Sequence, residues 1–210
     1  PPRLYNQPPQ VCIQITRYTH LLARHKNLDP KKSFKFAPCM NPTDARQLIE
    51  AAIPNKTTAT WADLGCGAGT FTYAVAELLG DGSKVWAVDK LTQYLGAKRG
   101  EVEIEFLQAD IERQELPLKA LDGIIIANTL HYIKDQADFL QHLRSYLKDT
   151  GKLILVEYDT ERSNQWVPFP VTYEMAQALL SNAGFKDVSQ IGEHPSSFRN
   201  EMIFACVAHA

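Results

Sequence analysis

The chain has 210 residues, of which 45% are hydrophobic and 22% charged, and its formal net charge is −2 at pH 7. These values exclude wholesale disorder and suit a single domain with a small appendage. No apolar run approaches the roughly 18 residues of a membrane-spanning helix. Four scattered cysteines without a Cys-x-x-Cys pair argue against a disulfide framework or a zinc site. We therefore expect a cytoplasmic protein without a metal. Because the sequence starts at Pro1 rather than Met, earlier removal of an N-terminal signal segment stays an alternative.

Charge, proline and glycine divide the chain into two differently built segments. Residues 1–60 carry nine Lys and Arg against three Asp and Glu, a charge of +6, and residues 61–210 carry −8. Eight of the 12 prolines lie in residues 1–54, whereas all 11 glycines lie at or after Gly65. This pattern predicts a basic N-terminal extension over residues 1–42 and a folded domain over residues 43–210.

The predicted elements begin with a helix over Val11–Asn27 and a proline-containing loop over residues 29–42. Asn41, followed by a proline and an acid, is typical of a helix start, and Pro54 ends that helix near Ile53. Strands are predicted at Ala59–Leu64, Lys84–Val88, Val102–Gln108, Gly123–Asn128 and Lys152–Glu157. Further helices are predicted at Phe71–Leu79, Phe139–Leu147 and Tyr173–Ala183. This alternation favours a parallel sheet with helices on both faces.

The last two predicted strands, Phe185–Ile191 and Met202–Ala208, have no helix between them. We expect them to pair as an antiparallel hairpin at one edge of the sheet. The whole pattern predicts a doubly wound α/β fold with seven strands, the last of them antiparallel.

The segment Asp63-Leu64-Gly65-Cys66-Gly67-Ala68-Gly69 joins a predicted strand to a predicted helix. Its glycines allow the backbone to approach a ligand closely at a helix N-terminus. Dinucleotide-binding folds use Gly-x-Gly-x-x-Gly, and a P-loop requires Gly-Lys-Ser/Thr, so the Gly-x-Gly-x-Gly spacing here argues against both.

This segment resembles the first motif of the class I S-adenosylmethionine (SAM)-dependent methyltransferases, small-molecule type. The resemblance continues at the third strand end, Gln108-Ala109-Asp110-Ile111, at Asn128-Thr129-Leu130-His131-Tyr132, and at Lys148–Leu155 before the fifth strand. It covers about residues 43–210. It implies that Asp89, 20 residues after Gly69, binds the ribose hydroxyls, that Asp110 and the next N–H bind adenine, and that Asp63 orients the loop.

The cofactor-binding residues implied by the resemblance are Asp63, Leu64, Gly65, Cys66, Gly67, Gly69, Thr70, Phe71, Asp89, Lys90, Leu91, Asp110, Ile111, Asn128 and Thr129. Some of them have a simpler structural explanation. Asp63 would also suit a helix cap, Asp110 a turn, and Cys66 the packing of the loop.

On the acceptor side, His131 is a candidate general base because an imidazole titrates near neutral pH, although a packing role competes with that reading. Glu157, Tyr158 and Asp159 follow the fifth strand and would hold a polar acceptor. Residues 1–42 are interpreted as a lid over SAM, with a solvated helix or a surface for an anionic partner as alternatives. The candidate substrate residues are Tyr18, His20, Tyr132, Tyr158 and Trp166.

The resemblance implies methyl transfer from SAM to a small molecule by in-line displacement, with release of S-adenosylhomocysteine. The alternatives are a methyltransferase acting on RNA or protein and a non-catalytic SAM-binding protein. A NAD-dependent oxidoreductase is disfavoured by the glycine spacing. We expect no membrane partner, and nucleic acid is disfavoured because a long basic stretch interleaved with aromatic residues is lacking.

Overall fold

A computed structural model describes residues 40–196 and 201–210. The predicted helix over Val11–Asn27 and the candidate substrate residues Tyr18 and His20 lie outside these ranges. Within them, no helix combines the length and the apolarity needed to cross a membrane.

The helices are α1 (Pro42–Ile49), α2 (Thr70–Leu78), α3 (Gln136–Leu143) and α4 (Tyr173–Asn182). The strands are β1 (Thr60–Leu64), β2 (Lys84–Asp89), β3 (Lys98–Arg99), β4 (Val102–Gln108), β5 (Leu121–Ala127), β6 (Leu147–Tyr158), β7 (Lys186–Pro195) and β8 (Met202–His209). Short 3-10 helices lie at Glu50–Ala52, Leu130–Tyr132 and Arg144–Tyr146.

The helix starts follow the local chemistry of the sequence. Asn41 caps α1, since its side chain accepts a hydrogen bond of 2.9 Å from the Asp44 backbone N–H. Thr172 caps α4 in the same way through the N–H of Met175, at 3.2 Å.

The eight strands form one sheet in the order β3-β4-β2-β1-β5-β6-β8-β7. The pairs formed by β4, β2, β1, β5 and β6 are parallel. β8 is antiparallel to both β6 and β7, which confirms the predicted terminal hairpin and the antiparallel last strand. The strand number differs from the predicted seven because the two-residue strand β3 adds an antiparallel edge to β4.

The boundaries of several elements differ from the predicted ones. The helix predicted over Phe139–Leu147 is observed as α3, Gln136–Leu143; it ends earlier because a 3-10 turn follows Leu143 and β6 already begins at Leu147. Residues 90–120 contain the strands β3 and β4 and no α-helix. Among the described helices, α2 packs against β1, β2 and β4, whereas α1 and α4 pack against β7.

The apolar core has two clusters, one on each face of the sheet. Ile124 and Ile126 point into the cluster that contains residues of α3 and α4. Ile125, between them, points into the cluster that contains residues of α1 and α2. The alternation explains why β5 is a continuous apolar run, since a parallel strand covered on both faces has no polar side.

The parallel strands place their carboxyl ends at a common edge of the sheet, called here the carboxyl edge. β7 ends and β8 begins at this edge, because Tyr158 and His194 both pair with Ile203. In open α/β sheets ligands bind outside the carboxyl ends of the strands.

Candidate active site

The loop over residues 65–69 turns from β1 into α2 and is held against the end of β2. The N–H groups of Gly65 and Cys66 both donate to the Val88 carbonyl, at 2.8 and 3.0 Å. Gly65 has φ +82°, and a side chain there would meet Thr129, whose Oγ1 would lie 2.3 Å from the added Cβ. Glycine is therefore required at this position by both the backbone and the neighbouring turn.

Gly67 faces open space rather than the protein. Its φ is +50°, and a Cβ built on it would have no heavy atom within 4 Å. Its N–H donates to Asp89 Oδ2 at 3.0 Å, and the N–H of Leu91 donates to Asp89 Oδ1 at 2.8 Å. A carboxylate offers about four acceptor positions, so Asp89 retains one on each oxygen for a pair of hydroxyl groups.

Asp63 lies at 1% exposure beneath the loop and is bonded to the first turn of α2, not to solvent. Its Oδ2 accepts a hydrogen bond of 2.6 Å from Thr72 Oγ1. Burial raises the pKa of Asp63 to about 7, the Thr72 hydroxyl acts in the opposite direction, and the charge of Asp89 raises it further. The side chain ties β1 to α2 and thereby fixes the loop between them.

The end of β4 lines an open groove of about 530 Å³. Asp110 stands in it at the start of a turn: its Oδ1 accepts from the Glu112 N–H at 3.1 Å, and its own N–H donates to Gln114 Oε1 at 2.6 Å. Sequence reasoning found Lys90 and Asp110 but missed Gln108, Arg113 and Gln114 as lining residues. Gln108 is the last residue of β4, and its position at a strand end is a signal that the sequence contains. Arg113 and Gln114 lie further along the chain and line the groove because the turn that starts at Asp110 folds back towards it.

Asn128 follows β5 and stands next to the glycine loop. It has φ +51°, an uncommon left-handed conformation, and its N–H donates to the Val156 carbonyl at 2.8 Å. Among the described residues, its buried Oδ1 has no hydrogen-bond partner. A buried acceptor without a partner is costly, so this atom is suited to a donor group of a bound molecule.

His131 and Glu157 form a buried pair beside the loop. His131 Nδ1 lies 2.6 Å from Glu157 Oε2, with side-chain exposures of 3% and 1%. The Tyr132 and Tyr158 rings have centroids 4.3 and 6.2 Å from the imidazole. Burial raises the pKa of Tyr158 to about 12, and the charge of Glu157 contributes to the rise. Four of the candidate acceptor-side residues are thus brought together: His131, Tyr132, Glu157 and Tyr158.

The segment over residues 159–172 covers this group. The Phe169 N–H donates to the His131 carbonyl at 3.0 Å, and Gln136 Nε2 donates to the Phe169 carbonyl at the same distance. Asn164 Oδ1 accepts from the Trp166 N–H at 2.8 Å and from that of Val167 at 3.2 Å. These bonds attach the segment to the turn that contains His131 and fold the short turn that carries Trp166.

Two cysteines are buried within the described residues, and neither suits a nucleophile. Burial raises the pKa of the Cys66 thiol, and the charges of Asp63 and Asp89 raise it further. Burial raises the pKa of Cys206 to about 12. A high thiol pKa leaves little thiolate at neutral pH, so neither thiol is suited to nucleophilic attack.

These residues fit SAM on two observations from the structure. The open space at Gly67, beside the free acceptor positions of Asp89, accommodates a ligand with adjacent hydroxyl groups. The unpartnered Oδ1 of Asn128, on the other side of the loop, suits the amino group of the methionine portion.

Comparison with known proteins gives one family match: the family described as a methyltransferase domain matches residues 55–201. Trans-aconitate 2-methyltransferase of Azoarcus sp. strain BH72 is 30% identical over 128 residues, which are 60% of this chain and 49% of that protein. The tRNA U34 carboxymethyltransferase of Alteromonas mediterranea is 33% identical over 105 residues, 44% of this chain and 30% of that protein. The chain thus spans half or less of the length of these relatives.

Among solved structures, the fold is similar to Burkholderia thailandensis 1,6-didemethyltoxoflavin-N1-methyltransferase with bound 1,6-didemethyltoxoflavin and S-adenosylhomocysteine. The TM-score is 0.64 at 18% identity, and the match covers 100% of this chain and 93% of that one. At this identity the likeness shows that the fold is shared.

Proposed function

Because the chain belongs to the methyltransferase-domain family and is a class I SAM-dependent methyltransferase by fold and motif, we propose that it transfers a methyl group from SAM to a small-molecule acceptor. SAM supplies a methyl group on a positively charged sulfur, which leaves as S-adenosylhomocysteine after in-line displacement. The observation that carries the proposal is the glycine loop, open at Gly67 beside the Asp89 carboxylate.

Each cofactor-binding residue has a proposed role that follows from its contacts. Asp89 accepts the ribose hydroxyls, while its bonds to Gly67 and Leu91 hold it in place. Asp110, which lines the groove together with Lys90, binds the adenine with the next residue, Ile111. Asn128 takes the methionine amino group. The remaining loop and turn residues shape the pocket through backbone and packing: Asp63, Leu64, Gly65, Cys66, Gly69, Thr70, Phe71 and Thr129.

The chain's contribution to rate is then mainly alignment of donor and acceptor in a site closed to water. Correct positioning can supply roughly 7–11 kcal/mol of barrier reduction in favourable cases. Tyr132, Tyr158 and Trp166 are proposed to contact the acceptor. The assignment of residues 1–42 to a lid, with Tyr18 and His20 as acceptor contacts, and the cytoplasmic location also remain parts of this proposal.

A small acceptor is supported by the relative named for trans-aconitate. The relative named for tRNA U34 favours an RNA acceptor as the second candidate. The two are separated by incubating the chain with [methyl-³H]SAM and a cell extract divided by size. Label in the low-molecular-weight fraction supports a small-molecule acceptor, whereas label in RNA supports an RNA acceptor. Tight SAM binding without any labelled product supports a non-catalytic SAM-binding protein.

Asp89→Asn tests the cofactor site by calorimetric titration with SAM, with NAD as a negative control. Hydrogen bonds to a charged group contribute about 1.5–3 kcal/mol, so we expect the affinity to fall roughly tenfold to a hundredfold. Asp149→Asn removes an exposed carboxylate in the amino-terminal part of β6, away from the carboxyl edge, and should leave the affinity unchanged. Equal affinities of all three proteins, or NAD binding in place of SAM, would exclude the proposed site.

A further inference from the structure

The buried pair on the acceptor side has a geometry that a packing role alone does not require. Glu157 lies at the end of β6, and both oxygens of its carboxylate contact His131, which lies in the turn after β5. Its Oε1 accepts from the His131 backbone N–H at 3.2 Å, and its Oε2 lies 2.6 Å from Nδ1 of the same residue. Two bonds to one residue fix the orientation of the carboxylate and of the imidazole ring together.

The bond to Nδ1 determines which ring nitrogen carries the proton. An ionised carboxylate only accepts hydrogen bonds, so Nδ1 is the donor and the neutral imidazole keeps a lone pair on Nε2. In residues 40–196 and 201–210, the ring's hydrogen bonding is through Nδ1. Nε2 is therefore the nitrogen available to a proton from elsewhere.

The surroundings of the ring strengthen this arrangement. The described titratable groups that it faces are Glu157 from β6, Tyr158 from the same strand and Tyr132 from its own turn. Tyr158 stays uncharged at neutral pH, since burial raises its pKa to about 12. The segment over residues 159–172 is bonded to the His131 carbonyl through Phe169, and both side chains of the pair are buried. A charge held in such a site acts more strongly than it would in water.

Resting on the proposed function, we propose that the acceptor group is a hydroxyl, that His131 is the general base, and that Glu157 is the residue that positions it. The hydroxyl oxygen forms the new bond to the methyl carbon, the carbon–sulfur bond breaks with its electron pair on sulfur, and the hydroxyl proton passes to Nε2. Water later removes that proton. A carboxylate acceptor carries no proton to remove and would gain nothing from an imidazole held in this tautomer.

The acceptor class is tested with [¹³C-methyl]SAM, the full chain and the low-molecular-weight fraction of a cell extract. The ¹³C chemical shift of the transferred methyl separates ethers, esters, amines and thioethers, and alkali releases methanol from esters alone. We expect an alkali-stable methyl ether. A methyl ester, N-methyl or S-methyl product overturns the inference but preserves the proposed function, whereas absence of any labelled small molecule counts against the proposed function itself.

Variants test the two residues separately. General bases contribute about 10²–10⁴-fold to rate, so His131→Gln should lower ether formation by that factor while calorimetry finds the same SAM affinity. His209→Gln, near the far end of β8, is the matched control and should retain full activity.

Glu157→Gln should lower the rate while calorimetry finds the same SAM affinity, and ¹⁵N-histidine spectra should show that His131 no longer carries its proton only on Nδ1, because the ring loses the carboxylate that selects its tautomer. A role in packing alone would leave the tautomer unchanged and would overturn the inference. Should His131→Gln fail to fold, as judged by circular dichroism, ¹⁵N-histidine spectra of the wild-type chain give an independent answer. A proton on Nδ1 at pH 8 supports the proposal, and a proton on Nε2 refutes it.

Discussion

Gly65→Ala is a direct test of how the glycine loop packs against the turn after β5. The added Cβ would lie 2.3 Å from Thr129 Oγ1 and 2.5 Å from its Cγ2. The Thr129 hydroxyl donates to the Ala127 carbonyl at 3.0 Å, so the side chain cannot rotate away without losing that bond. The backbone is also unfavourable for alanine, since φ at this position is +82°.

The two effects can be given approximate magnitudes. A left-handed conformation costs an L-residue about 1–2 kcal/mol. Insertion of a methyl group into a packed site costs about 1–3 kcal/mol. The free energy of unfolding should therefore fall by about 2–5 kcal/mol, a large part of the total for a typical domain.

Gly67→Ala is the matched control, because φ there is +50° and the added Cβ would meet nothing within 4 Å. It should show only the backbone cost of about 1–2 kcal/mol. Its Cβ would also enter the proposed cofactor space, so its SAM affinity should fall as well. Thr129→Ala in the Gly65→Ala background removes the two shortest contacts and should recover most of the packing cost.

The assay is urea denaturation at pH 7, followed through the fluorescence of Trp61 in β1 and Trp86 in β2. The double-mutant cycle between positions 65 and 129 should give a coupling energy of about 1–3 kcal/mol. Equal stability of the two glycine variants, or no recovery on truncating Thr129, would show that the loop and the turn are not packed as described.

Two further predictions concern buried ionisable groups. Because burial raises the pKa of Asp63 from 3.8 to about 7, the folded state retains a proton that the unfolded chain loses. The stability contributed by this group should fall between roughly pH 4 and pH 7, by up to about 4 kcal/mol, and Asp63→Asn should remove that fall in thermal unfolding. A wild-type-minus-variant difference that is constant with pH would contradict this. Iodoacetamide at pH 8 should modify Cys66 and Cys206 only after denaturation, as peptide mass spectrometry can check, because burial raises the pKa of both thiols; rapid labelling of the native protein would contradict it.

The cofactor side of the site could be predicted because its signals are local. The loop from Gly65 to Gly69 is contiguous in the chain, and Asp89 ends a strand that periodicity alone identifies. The tail hairpin was predictable for the same reason, since two strands without an intervening helix favour antiparallel pairing. The lengths of β6 and α3 were less well predicted, because β6 begins in polar residues of the kind that is typical of a turn.

The acceptor side depended on contacts between distant parts of the chain. Sequence reasoning assigned Glu157 to a polar acceptor, whereas the structure places it against His131, 26 residues earlier. The unpartnered Oδ1 of Asn128 and the contact between Thr129 and Gly65 had no local signal either.

The sequence by itself determined the fold class, the strand-to-helix loop and the acid at the end of β2. Each of these follows from periodicity, from glycine's access to left-handed backbone, or from a short motif. The tertiary structure decided which side chains meet at the carboxyl edge. The physical reason is the strand order: β5 lies next to β1 and β6 in the sheet, so residues far apart in the chain become neighbours there. The carboxylate of Glu157 reaches His131 from the adjacent strand, and strand adjacency is a property of the folded sheet.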